Sequence, residues 1–274
     1  MALFKYVLDR LRTVIRVPFL YRNFLTAYAD YFRLISDRAV VYELRNGMRF
    51  KARAGKFDIA MISEVIDEKI YERKAQDILI RPDDTIVDIG GFIGDFAVFA
   101  ARKAPHGSVH SFEPSPGSYQ LMEENIALNQ LGNVVTHQKA VAGESGVLEL
   151  LIPDFAEHSN TTDPALLGNG SFQKFTVDSV GINALLADLP HLPTFMKVDC
   201  EGAEFGIFDT IEDGYLANLR CLIIEYHLHD RQKDQRATVL KKRLEPYFHL
   251  HDKPLGTQQN LVLGMLYCRS KNLR

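Results

Sequence analysis

Thr85-Ile86-Val87-Asp88-Ile89-Gly90-Gly91-Phe92-Ile93-Gly94-Asp95-Phe96-Ala97-Val98-Phe99 reads as a strand, a glycine turn and the start of a helix. Ile86, Val87 and Ile89 make the short apolar run expected of a strand buried on both faces. Gly90, Gly91 and Gly94 interrupt it, and Phe96, Ala97, Phe99 and Ala100 resume at helical spacing. Glycines let the backbone approach a ligand closely, and the helix start offers free N–H groups. Asp88 is a polar residue inside an apolar strand, a candidate for binding a cationic group. The turn is not a dinucleotide fingerprint. Gly-x-Gly-x-x-Gly begun at Gly90 needs glycine where Phe92 and Asp95 stand, and Asp95 would repel a phosphate.

The chain has 274 residues, enough for one large α/β domain or two small ones, and 46% are hydrophobic, which supports a real core. Net charge is −3, so no global basic field points to nucleic acid. Cys200, Cys221 and Cys268 lie far apart with no C-x-x-C spacing, which fits a reducing compartment and no zinc site. No uninterrupted apolar segment reaches about 18 residues, and the N-terminus has no clean secretory apolar block. A cytoplasmic protein is expected.

Residues 1–36 carry apolar positions at helical spacing, with Pro18 expected to break or kink the helix between two sets. Lys5, Arg10, Arg12, Arg16 and Arg22 face only Asp9 in the first 25 residues. Two readings are open: a helix on an anionic membrane surface or acidic partner, and a helical cap on the main domain or on a dimer mate. The cap is the simpler reading and is preferred. Residues 40–53 read as a hairpin turning at Asn46-Gly47, and 58–80 return to helical periodicity.

After the glycine turn, a helix to about Lys103 leads to the strand Val109–Phe112, with Glu113 at its end. Strand, helix, strand within about 30 residues implies a right-handed crossover and parallel neighbours. Ligands in open α/β sheets bind beyond the carboxyl ends of strands, so Glu113 should stand beside the Gly90–Gly94 turn and accept both hydroxyls of a ribose. A helix over 117–130 and a strand over 134–137 follow, and Ala140 is a place where an adenine ring could rest. Residues 153–172 are polar and turn-rich, a candidate substrate lid. Phe195–Val198 is a buried strand with Asp199 at its end, and Leu222–Ile224 begins another, ending in Glu225, Tyr226 and His227. A basic helix over 231–247 and two last strands complete the chain.

Acids repeated at one sheet edge suggest a site, because scattered through strands they would oppose folding. Asp88 and the glycines suit an amino-acid moiety, and Glu113 suits a ribose; S-adenosylmethionine has both. Asp88-Ile-Gly-Gly-Phe-Ile-Gly94, Phe112-Glu113-Pro114, Lys197-Val-Asp199-Cys-Glu201-Gly202-Ala-Glu204 and Ile224-Glu225-Tyr-His227 together resemble the FkbM family of S-adenosylmethionine-dependent methyltransferases. The resemblance covers about residues 40–270. It implies a Rossmann-like class I methyltransferase, with a mostly parallel seven-stranded sheet and an antiparallel last strand. Residues 37–274 would be the methyltransferase domain and 1–36 a helical extension. It also implies O-methylation of a sugar or natural-product hydroxyl, with Asp88, Gly90, Gly91, Gly94, Glu113, Pro114, Ala140 and Asp199 at the cofactor. The family commonly has Gly-Ala-Asn where this chain has Gly90-Gly91-Phe92, so contacts to the cofactor's tail should differ. Methyl transfer to an alcohol needs in-line approach and a proton acceptor, for which Asp199 and His227 are the candidates, with Glu225 the third residue of the expected catalytic set. Glu225 with Asp199 offers oxygen ligands for magnesium, but nothing in the spacing demands a metal and none is expected. Glu201 and Glu204 read first as helix N-terminal groups, Glu204 more so. The alternatives are a nucleotide-cofactor oxidoreductase, which Phe92 and Asp95 disfavour, and a non-catalytic adenosyl binder.

Overall fold

The computed structural model describes residues 14–36, 38–153, 161, 172–228, 235–258 and 261–272. The first 13 residues, most of the candidate lid, His229, Asp230 and the start of the basic helix lie outside them. The hairpin forms as expected: β1 (Ala39–Glu43) and β2 (Arg49–Arg53) pair antiparallel, and Gly47 takes φ +84° in the turn. Next come β3 (Thr85–Ile89), β4 (Ser108–Phe112) and β5 (Val134–His137), with helices Asp95–Lys103 and Pro116–Leu128 between them. β6 (Ala140–Ala142), β7 (Gly146–Pro153) and β8 (Phe172–Gly181) form a separate three-stranded sheet in the order β6-β8-β7. β9 (Phe195–Val198), β10 (Cys221–Leu228), β11 (Phe248–Gln258) and β12 (Leu261–Ser270) complete the main sheet.

The main sheet has seven strands in the order β11-β12-β10-β9-β3-β4-β5. β12 runs against both its neighbours, and the other pairs are parallel. This is the Rossmann-like methyltransferase sheet, reversed last strand included. Strand order turns around between β3 and β9, and such a switch point opens a crevice beyond the carboxyl ends. Alternation along each strand sorts side chains onto two faces. Ile86 joins Phe96, Val109, Phe195 and Ile223 in one core layer, and Val87 and Ile89 join Val198, Phe205, Phe208 and Leu222 in the other. Asp88 shares the face of Ile86 and lies opposite Lys197 of β9 in register.

Three local readings change. Pro18 lies inside a helix over 14–20, and the break falls at Tyr21–Asn23 instead. Proline cannot donate to the carbonyl four residues back, but the Tyr28 hydroxyl donates to that Val14 carbonyl at 2.7 Å, so the helix tolerates it. Residues 58–80 are not one helix. Helix Asp58–Ser63 loosens into a π-turn at Glu64–Glu68, Lys69 turns left-handed with φ +51°, and a short 3₁₀ turn follows at Lys74–Gln76. As expected, Glu225, Tyr226 and His227 fall in the last part of β10, which β12 pairs along its whole length. A helix at Asp213–Asn218 was not foreseen. Among the described residues, no helix is long and apolar enough to cross a membrane.

Candidate functional site

A cavity of about 450 Å³ opens where β3, β4, β9 and β10 end. Its floor is the glycine bend. Gly90 takes φ +82°, and a Cβ there would lie 1.7 Å from the carbonyl oxygen of Asp199, so no other residue fits. The Gly90 and Gly91 N–H groups both donate to the Phe112 carbonyl, at 3.0 and 2.9 Å, which fastens the bend to the end of β4. Phe92 also adopts positive φ, +48°, and its ring lies 5.2 Å from the Arg53 guanidinium.

Glu113 turns toward this bend. Its Oε2 accepts from Phe92 N–H and its Oε1 from Ser115 N–H, each at 2.9 Å. Burial pushes its pKa up to about 7, against the pull of those two N–H groups. A carboxylate offers about four acceptor positions, so two remain after these bonds.

Asp88 lies behind the cavity wall, fully buried. Its Oδ1 faces the Lys197 ammonium at 3.2 Å and its Oδ2 accepts from the Ser111 hydroxyl at 2.6 Å. The cation that the sequence assigns to Asp88 is therefore internal. Lys197 also donates to the Gly90 carbonyl, at 2.5 Å, and so braces the bend. Burial alone would lower the pKa of this lysine, but Asp88, Asp199 and Asp95 together raise it, and it stays charged. Gly91 and Gly94 likewise pack away from the cavity, against Ser111 and Met122. Of the expected cofactor residues, Gly90, Glu113, Pro114, Ala140 and Asp199 line the cavity; Asp88, Gly91 and Gly94 shape it from outside.

The ends of β9 and β10 carry the acids. Asp199 is partly exposed; its Oδ2 accepts from the Tyr71 hydroxyl at 2.9 Å and lies 3.8 Å from Lys197. Glu225 lines the same cavity, and burial, then Asp199, push its pKa up to about 8. Nε2 of His227 faces Glu201 at 3.3 Å, and its Nδ1 lies 3.5 Å from Glu204. Burial alone would lower the pKa of His227, but Glu201, Glu204 and Glu225 raise it well above the ordinary value. A histidine held charged at neutral pH is a poor proton acceptor, which counts against it as the base. Glu204 is fully buried and accepts from Gly202 N–H and His227 N–H, both at 2.7 Å. It ties the turn after β9 to β10, in keeping with its structural reading.

The pair considered for a metal, Glu225 with Asp199, is not the grouping that forms. Asp199, Glu201 and His227 bring one ligand atom each within 4.8 Å of one another. That oxygen-and-imidazole set suits a divalent ion; without one, a proton on His227 offsets the acids.

Several cavity residues were missed. Glu64, Glu68 and Tyr71 come from the segment read only as helix, and burial pushes Glu64 up to about 7. Lys197 carried no assigned role. A lysine in a four-residue strand that is otherwise Phe, Met and Val was the available signal.

The site fits the expected S-adenosylmethionine. The cavity volume lies in the range of small-molecule sites, about 300–1,000 Å³, and Glu113 has acceptor positions left for a ribose diol.

Comparison with known proteins agrees. Residues 88–253 match the Methyltransferase FkbM domain. "Methyltransferase 1" of Beauveria bassiana is 28% identical over 180 residues, 59% of this chain and 72% of that protein. The "31-O-demethyl-FK506 methyltransferase FkbM" of Streptomyces tacrolimicus is 25% identical over 241 residues, 76% of this chain and 89% of that protein. Among solved structures, Methyltransferase FkbM from Methylobacillus flagellatus KT superposes with a TM-score of 0.45 at 14% identity, over 70% of this chain and 45% of that one.

Proposed function

The chain belongs to the FkbM family of S-adenosylmethionine-dependent methyltransferases, and on that premise we propose that it methylates a hydroxyl of a sugar or natural-product acceptor. The observation that carries this reading is Asp199: a part-exposed carboxylate lining the cavity, with its Oδ2 held by the Tyr71 hydroxyl. When bound, S-adenosylmethionine supplies a methyl group on a positively charged sulfur. This chain's residues do the rest. Glu113 would hold the ribose hydroxyls, Pro114 and Ala140 would line the adenosine side of the cavity, and Gly90 gives the backbone room. Asp88, Lys197, Gly91 and Gly94 keep that bend fixed from behind. Asp199 receives the acceptor's hydroxyl proton at Oδ1. Met61, Val65 and Ile70 give the acceptor an apolar wall, with Glu64 and Glu68 among them for its hydroxyls. The Streptomyces relative is named for a 31-O-demethyl natural product, which supports oxygen as the methylated atom.

The test is turnover of methyl-labelled S-adenosylmethionine against a panel of hydroxylated sugars and polyketides. Asp199→Asn should lower kcat by about 10²–10⁴-fold, the usual worth of a positioned base, with the melting temperature nearly unchanged. Methylation at carbon or nitrogen, or an Asp199→Asn enzyme as fast as the parent, would overturn the reading.

A further inference from the structure

The N-terminal helices use one face for packing and, among the described residues, leave the other largely exposed. Val17, Tyr21 and Ala27 are buried in the core shared with the hairpin, and Asp30 is bonded to the Tyr42 hydroxyl and the Gly55 N–H. That half fits the cap reading. On the other half, Ile15 is 63% exposed, Phe19 77%, Leu25 72%, Phe32 56% and Leu34 77%. Ile15 and Phe19 are one turn apart on the helix over 14–20, and Leu25 and Phe32 fall two turns apart on the line of helix Phe24–Tyr31. A row of five large apolar side chains is more than scattered surface exposure. Arg22 and Arg33, both exposed, are interleaved with it and exposed Arg38 follows it, while Arg16 is paired with Asp67 at 2.8 Å. Between residues 14 and 36 the sole acid is Asp30, which is buried. The sequence ahead adds Lys5, Arg10 and Arg12 against Asp9.

We propose that this face seats the protein on an anionic lipid bilayer, with the apolar row in the acyl boundary and the arginines on the headgroups. Apolar side chains flanked by uncompensated basic ones are the composition of an interfacial helix. A second copy is a poorer occupant, because a two-fold contact would set the arginines of one face against those of the other with no exposed acid among residues 14–36 to meet them.

The full chain is sedimented with vesicles of phosphatidylcholine alone and of phosphatidylcholine mixed with phosphatidylglycerol. Binding to the anionic vesicles should be at least about tenfold stronger and should weaken as salt is raised. Phe19→Asp with Leu25→Asp should abolish it, and Arg22→Glu with Arg33→Glu should remove the preference for anionic lipid. Both pairs lie on the exposed face, so melting temperature should hold. Failure to sediment with anionic vesicles, equal binding to neutral ones, or a dimer in solution that Phe19→Asp dissociates would each overturn the proposal.

Discussion

The bend after β3 and the acid edge after β9 and β10 border one cavity and are built in opposite ways. At the bend, Asp88 has Lys197 and Ser111 as partners, and the glycine amides are spent on the Phe112 carbonyl. At the edge, Asp199, Glu201, Glu225 and His227 line the cavity itself. Asp88 and Asp199 look alike in the sequence, as acids at strand ends. What separates them is Lys197, which lies 3.2 Å from the first and 3.8 Å from the second. An acid enclosed with its cation holds a shape, and an acid facing an open space is available for chemistry.

Removing the shared lysine breaks this contrast most severely. Lys197→Met leaves Asp88 buried without its cation, and one partner of a buried pair typically costs about 3–5 kcal/mol to remove. Urea denaturation should show a loss of that order, and adding Asp88→Asn should recover most of it. If the single variant were as stable as the parent, the bend would not depend on this pair.

A second test sharpens the contrast through pH. Burial pushes Glu64, Asp95 and Glu113 up to about 7 and Glu225 up to about 8. A carboxyl whose pKa is higher folded than unfolded binds more protons when folded, so its contribution is lost as pH rises from about 4.5 through the folded value. His227 has the same sign: its raised folded pKa adds stability below about 6.5, lost as pH rises through the folded value. Melting temperature should therefore fall by a few degrees between about pH 5.5 and pH 8.5, and Glu225→Gln should flatten that slope. A profile rising with pH would contradict these shifts.

The sequence reveals the backbone plan better than the partners. Glycine spacing, the Asn46-Gly47 turn and short apolar runs are local signals, and they place the hairpin, β3, β4 and β9 closely. Pro18 misleads because the Tyr28 hydroxyl, ten residues away in sequence, replaces the missing donor. Residues 58–80 mislead because their apolar side chains are drawn into the core with the hairpin and β3, not onto one continuous helical face. Lys197 goes unassigned because its pairing with Asp88 exists only once β9 lies beside β3. The site is legible as a set of acids on one edge. Which acids face the cavity and which are enclosed depends on register and on covering segments that carry no local signature.

The central claim, that Glu113 holds the ribose of an adenosyl ligand beside the Gly90 bend, is tested most directly by a binding cycle. Calorimetry compares S-adenosylhomocysteine with its 2′,3′-dideoxy analogue on the parent chain and on Glu113→Gln. Since Glu113 also supports Phe92 and Ser115, the single variant alone is ambiguous, whereas the cycle isolates the ribose contact. The account predicts a coupling of about 1.5–3 kcal/mol, the worth of hydrogen bonds to a charged group. Additive effects, with the variant weakening both ligands equally, would contradict it.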